Sequence, residues 1–399
     1  MRIVRTLAVA GFVAGLVGAC GFRSPGHSNG GDPDAGVDAS IDGPVDPTAW
    51  LHPWAYRKAI TLHALQIEAP GDGALADFPV LISVTDPQIA ASAFASGQDI
   101  VFTSDDAMTM LSSEIESFSQ SAKTLVAWVK VPMLSATTDT RLYVYYGYSG
   151  VSSPPAQTPE DVWTGGYRAV WHLQQDPGPG GAGDLKDATA GNHDGTASSS
   201  LSASDSVAAK IGRGIRFDGS QDYIDFASTD FGDAFTISMW VFFMGGSNVK
   251  SLLSNSASGG NTDGFRFFVN TVQTQDLKII FETGDGSNNS QRQAATLAGA
   301  LPLSTFTHVA VAVDRAADKA TIFVNGNSAS VSTSLANNFK TDSDYEVARM
   351  EDPALYFPGM LDEIEVASVA RSPEWLKTAY NNQSQPGSFH TLGPEEREP

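Results

Sequence analysis

Phe235-Thr236-Ile237-Ser238-Met239-Trp240-Val241-Phe242-Phe243 decides the fold. Phe235, Ile237, Met239, Val241 and Phe243 make one complete apolar face, and Trp240 and Phe242 line the other. A strand alternates its side chains between two faces, so this one is expected to be buried on both. Working outward, strand-like runs recur at Tyr167–Leu173, Gly214–Phe217, Gly264–Val269, Leu277–Thr283, Thr307–Asp314, Ala320–Asn325 and Met360–Val369, separated by Gly, Asn, Asp and Ser turns. So many strands in one stretch predict a two-sheet jelly roll over residues 165–371.

A second β-rich unit precedes it, over residues 50–153. Lys58–His63, Phe78–Val84, Leu125–Val131 and Arg141–Gly147 read as strands, the last rich in the aromatics that strands favour. Gln88–Ser96 reads as a short helix and Ser104-Asp105-Asp106 as a hairpin turn. The spacing predicts a β-sandwich. Pro154-Pro155 and Pro159 mark the joint between the units. The fold class is therefore all-β, two sandwiches in tandem.

Val170-Trp171-His172-Leu173 and Asp187-Ala188-Thr189-Ala190-Gly191-Asn192-His193-Asp194-Gly195-Thr196 open the second unit, and Ile215-Arg216-Phe217-Asp218-Gly219, Thr307-His308-Val309, Val324-Asn325-Gly326 and Phe357-Pro358-Gly359-Met360-Leu361-Asp362-Glu363-Ile364 follow in order. This series resembles laminin-G-like domains of the concanavalin A-like lectin/glucanase type. In the first unit, Trp54-Ala55-Tyr56-Arg57-Lys58, Asp77–Ile82, Asp99–Thr103, Glu114-Ile115-Glu116 and Tyr143–Gly147 resemble an uncharacterised bacterial domain that often precedes such a module. That second resemblance implies no activity.

The chain of 399 residues carries 24 Lys+Arg against 45 Asp+Glu, a formal charge of −21. Such an acidic body lacks the clustered cations that a nucleic-acid backbone requires. Arg2 and Arg5 precede an apolar run from Leu7 to Val17 that is short for a membrane span, so residues 1–19 read as a secretory signal. The run ends Leu16-Val17-Gly18-Ala19-Cys20, with the chain's one cysteine last, and resembles a bacterial lipobox. That resemblance implies diacylation of Cys20 and, with Gly21 after it, the outer membrane; a plain signal peptide is the alternative. Residues 20–49, dominated by Gly, Pro, Asp and Ser, read as a disordered tether.

Asp362 is the most informative side chain. Strict alternation over Met360–Val366 puts it with Met360, Ile364 and Val366, and Glu363 and Glu365 on the other face. A carboxylate on an apolar face is costly unless paired or bound to metal. Oxygen ligands without sulfur favour calcium, and the resemblance implies a structural Ca2+ between this strand and the Asp187 loop. The expected ligands are Asp187, Asp362 and backbone carbonyls near Asn192 and His193; the alternative is an Asp362 that caps backbone amides without metal. Glu114 and Glu116 share a strand face and are expected to be solvated rather than an acid/base pair. Trp171, Trp240 and Phe265 are expected in the core rather than on a sugar platform.

Laminarinase-type relatives of the fold carry Glu-x-Asp-x-x-Glu, whereas Glu363-Ile364-Glu365-Val366-Ala367-Ser368 lacks the central Asp and the final Glu. No other catalytic motif is present in the sequence, so catalysis is not expected. Residues 372–393 read as a capped helix and a strap, and Pro394–Pro399 as a frayed end. The expectation is a lipid-anchored, non-catalytic recognition module for glycans or surface proteins. A structural or adhesion component of the envelope is the runner-up, and a polysaccharide-degrading enzyme the third reading.

Overall fold

The strand that decides the fold, Ala234–Phe243, lies at the centre of an antiparallel sheet between Phe306–Asp314 and Pro358–Ala367. The computed structural model describes residues 49–399, except 72, 151, 156–157, 179–182, 258–260, 333 and 351–354. The expected signal segment, the expected lipidation at Cys20 and the expected tether up to Thr48 lie outside the described residues. Phe235, Ile237, Met239, Val241 and Phe243 point into a core shared with a second, seven-stranded sheet that supplies Phe265, Phe267, Phe281 and Val347. Each such side chain contributes about 1.5–3 kcal/mol when fully buried. The result is the two-sheet sandwich expected from the alternation, an eight-stranded sheet against a seven-stranded one.

The first domain is a smaller sandwich. Its three-stranded sheet runs Ala74–Thr85, Thr124–Ser135, Ser113–Ser119, and packs on a five-stranded sheet that includes Trp54–Leu62 and Thr140–Tyr148. Phe78, Val80, Ile82, Val129 and Val144 fill the space between them. A short helix, Pro87–Ser92, is capped by Asp86, which accepts from the amides of Gln88 and Ile89. Asp106 closes the hairpin after Val101–Ser104 by accepting from Met108 N and Thr109 N, both at 2.8 Å.

The C-terminal helix, Pro373–Ser384, begins as its sequence suggests, with Ser372 accepting from the Trp375 amide and proline in its first turn. Its Trp375, Leu376 and Ala379 pack with the first sandwich's core and with Ala310, Ala312 and Phe323 on the outer face of the eight-stranded sheet. Asn382 then clasps the edge strand Ala74–Thr85, accepting from Leu81 N at 2.7 Å and donating to Leu81 O at 3.0 Å.

The chain end does not fray as expected. His390–Arg397 pairs antiparallel with Trp54–Leu62 as the outermost strand of the first domain. Lys58 faces Glu395 and Ile60 faces Leu392, so an extra residue bulges at Gly393-Pro394. A proline has no N–H to give to a ladder, and an edge bulge is where that costs nothing. Arg57 secures the strand through Glu396 at 2.7 Å. The two sandwiches and this strand form one compact unit. Among the described residues no helix is long and apolar enough to cross a membrane.

Candidate functional site

The strand Pro358–Ala367 departs from strict alternation at Glu363, whose φ is 50°. Trp240 faces Asp362 and Ser238 faces Glu365, so one extra residue bulges between them. Leu361, Ile364 and Val366 therefore point into the sandwich core, whereas Asp362 and Glu365 share the outer face with Trp240 and Ser238. The expected grouping of Asp362 with Ile364 and Val366, and its separation from Glu365, is corrected by this bulge. The left-handed residue is a glutamate, which carries no glycine-like signal.

The outer face is not solvated, because the three-stranded sheet of the first domain covers it. Leu81, Val126, Trp128, Trp163, Val170 and Ile211 form an apolar cluster between the domains. Within this seam Glu114 and Glu116 are buried, contrary to the solvated face expected for them. Glu116 accepts from Trp128 Nε1 at 2.6 Å and from Gln174; Glu114 accepts from Trp163 Nε1 at 2.7 Å. His172 lies between them and the second domain. Its Nδ1 is 2.7 Å from Oε2 of Glu363 and 3.7 Å from Oε2 of Glu116, and its Nε2 is 3.3 Å from Oε2 of Glu114. The imidazole also stacks on Trp128, with ring centres 5.7 Å apart, and packs against Trp163.

Electrostatics in the seam follow from burial and crowding. Burial, with the charge of Glu363 beside them, pushes Glu116 and Asp362 well above the usual carboxylate range. Burial also raises Glu363, and pushes Glu365 up to about 7. Burial opposes a charge on His172, but Glu363 and Glu114 outweigh it and hold the imidazole well above its ordinary value. Glu114 is also desolvated, yet the neighbouring imidazole and the hydrogen bonds of His172 and Trp163 keep it below its ordinary value. His172 was not singled out by the sequence reading. The available signal was three acids in Leu361-Asp362-Glu363-Ile364-Glu365-Val366, a strand whose neighbours are apolar and whose acids therefore need partners.

The expected calcium ligands are not brought together. Asp187 Oδ1 accepts from the amides of Val170 and Thr189, and its Oδ2 from the Thr189 hydroxyl and the His193 amide. Four donors occupy the four lone-pair sites of a carboxylate, so Asp187 folds its own loop. Asn192 is exposed and donates to Ala190 O, and His193 Nδ1 lies 2.8 Å from the Thr229 hydroxyl. Asp362 accepts from Ile211 N at 2.8 Å in the seam. Among the described residues, the three His, Cys, Asp or Glu side chains whose ligand atoms lie within 4.8 Å of one another are Glu116, His172 and Glu363. The Asp187 carboxylate therefore has no lone pair left for a calcium ion.

The outer face of the seven-stranded sheet is polar. Arg266 pairs with Glu282 at 2.9 Å, although both are nearly enclosed. Arg349 engages Glu346 and Asp225, and its guanidinium lies 3.4 Å from the centre of the Tyr223 ring. Burial opposes the charge of Arg349, but its bond to Glu346 and the nearby acids raise its pKa further. Asp225, Ser254, Asn255, Glu346 and Arg349 line a cavity of about 470 Å³ beside this row. By contrast Trp171, Trp240 and Phe265 are buried as expected, and Trp240 donates to Gln383 of the C-terminal helix at 2.7 Å.

Residues 218–377 match the model of the concanavalin A-like lectin/glucanases superfamily, and residues 96–160 match a domain of unknown function, DUF2341. No curated protein matches the chain. Among solved structures, the binding domain of Paraclostridial Mosquitocidal Protein 1 is 12% identical, covering 54% of this chain and 52% of that one at a TM-score of 0.41. The botulinum neurotoxin serotype D binding domain is 12% identical over 55% of this chain and 52% of that one, at 0.42. The Ruminococcus gnavus IT-sialidase CBM40 bound to α2,3-sialyllactose is 15% identical over 42% of this chain and 96% of that one, at 0.34. The chain spans about half the length of the two toxin domains. The chain is thus an all-β protein with a concanavalin A-like domain matched at residues 218–377, preceded by a DUF2341 match at 96–160.

Proposed function

We propose that this protein is a non-catalytic recognition module, lipid-anchored at Cys20 on the outer membrane, that binds glycans through the outer face of its seven-stranded sheet. The observation that carries this reading is the unequal treatment of the two sheets. The first domain and the C-terminal helix cover the outer face of the eight-stranded sheet, whereas the other sheet presents Asp225, Glu346 and Arg349 along a cavity. Planar charged groups already held by partners are preorganised to hydrogen-bond the paired hydroxyls of a sugar. Burial of Glu116, Asp362 and Glu363 in the seam favours the non-catalytic reading, because a glycosidic bond needs carboxyls on both of its sides.

A glycan array probed with the full chain tests this reading. Wild type is expected to retain a defined set of glycans, and Arg349→Ala to lose them with its melting temperature little changed. An array with no retained glycan overturns it, as does retention that Arg349→Ala leaves intact. Incorporation of a labelled fatty acid, abolished by Cys20→Ala, tests the anchor. The runner-up, a structural component of the envelope, draws support from the extensive packing of the two sandwiches; an empty array would favour it.

A further inference from the structure

Two carboxylate oxygens in the seam between the sandwiches have no hydrogen-bond partner: Oδ1 of Asp362 and Oε1 of Glu363, on residues 0% and 1% exposed. Natural proteins rarely leave such atoms orphaned, and an ion is one explanation when they are. Here Glu114, Glu116 and Glu363 crowd around a single imidazole, and the Lys210 amine near Asp362 is turned to the Ser384 carbonyl at 2.8 Å.

The geometry suits a metal rather than a diffuse counterion. Ligand atoms of Glu116, His172 and Glu363 all lie within 4.8 Å of one another. His172 Nδ1 is 2.7 Å from Glu363 and 3.7 Å from Glu116. Ligands bound at about 2.0–2.2 Å to a tetrahedral ion are roughly 3.4 Å apart, which falls between those two separations. The surrounding groups already do what outer partners of a metal site do. His172 Nε2 faces Glu114 at 3.3 Å, and a carboxylate there holds the Nε2 proton while an ion takes the place of the proton that Nδ1 shares with Glu363. Trp128 Nε1 orients Glu116, and Ile211 N orients Asp362. An ion has a route in, because Glu114 and His172 also line an open cavity of about 510 Å³ that Lys186 and Asp187 border.

We propose that Glu116, Nδ1 of His172 and Glu363 form a site for one divalent cation of the zinc class. An imidazole nitrogen among carboxylate oxygens selects zinc over calcium, whose ligands are oxygens. Glu116 comes from the first sandwich and the other two from the second, so the ion fastens the domains together.

The test is equilibrium dialysis of the untagged full chain against Zn2+, with metal analysis. The expected result is one equivalent per chain, not displaced by excess Ca2+. Glu116→Gln and Glu363→Gln should each weaken binding at least about tenfold, while Glu68→Gln, an exposed carboxylate elsewhere, should leave it unchanged. Absence of stoichiometric binding, or binding indifferent to Glu116→Gln and Glu363→Gln, overturns the proposal; the seam is then held by shared protons. Should those variants fail to fold, X-ray absorption at the zinc edge of the wild type decides it. One imidazole among oxygen ligands supports the site, and two or more imidazoles, or a sulfur, overturn it.

Discussion

Glu116 of the first sandwich and Glu363 of the second converge on one atom, Nδ1 of His172, at 3.7 and 2.7 Å. The join between the domains is thus specified by charge as well as by apolar packing. Deleting one partner of a buried ionic group typically costs about 3–5 kcal/mol, because the others are left uncompensated. His172→Phe, which keeps a ring between Trp128 and Trp163, is expected to lose about that much in urea denaturation at pH 7 without added metal. A change under 1 kcal/mol would show that the carboxylates do not depend on the imidazole.

Asn382 makes two hydrogen bonds to Leu81, satisfying both backbone groups of one edge-strand residue. Each buried group left unsatisfied costs about 1–3 kcal/mol. Asn382→Ala should therefore destabilise by about 2–4 kcal/mol, measured by urea midpoint. Asn382→Asp should recover only part of this, since a carboxylate accepts from Leu81 N but repels Leu81 O.

Removal of residues 390–399 strips the outermost strand from Trp54–Leu62 and leaves its ladder groups unpaired. An uncovered edge invites pairing with another chain. The truncated protein is expected to melt lower and to self-associate on gel filtration. A monomer with the full-length melting temperature would mean that the strand contributes nothing.

His308 packs against Trp240 and Tyr380, and burial pushes its pKa from 6.5 down to about 4. Below pH 6.5 the unfolded chain takes up a proton that the folded chain refuses. The stability is therefore complete above about pH 6.5 and is lost as the pH falls to about 4, by up to ~3 kcal/mol from this residue. His308→Leu should make the acid limb of the stability profile shallower over that window. An unchanged limb would assign the acid sensitivity to other groups.

The fold was legible because Phe235–Phe243 is apolar on both faces and turn residues punctuate the strands around it. The seam was not. Glu114 and Glu116 look solvated in isolation, and their burial depends on a sheet whose strand at Glu363 lies some 250 residues on. Alternation misplaced Asp362 because a left-handed glutamate shifts the phase by one, and nothing in the residue type announces it. The Asp187 loop reads as a source of oxygen ligands, but its carboxylate is consumed by its own amides. The strand His390–Arg397 carries a proline and a glycine that argue against a strand unless an edge bulge accommodates them.

The central claim is that the first sandwich covers the outer face of the second sandwich's eight-stranded sheet. Differential scanning calorimetry of the full chain tests it most directly. Domains that share the apolar cluster of Leu81, Trp128, Trp163 and Ile211 should unfold together, in one transition whose calorimetric and van't Hoff enthalpies agree. Two separate transitions, with the second sandwich melting unchanged after Leu81→Ala, would contradict the account.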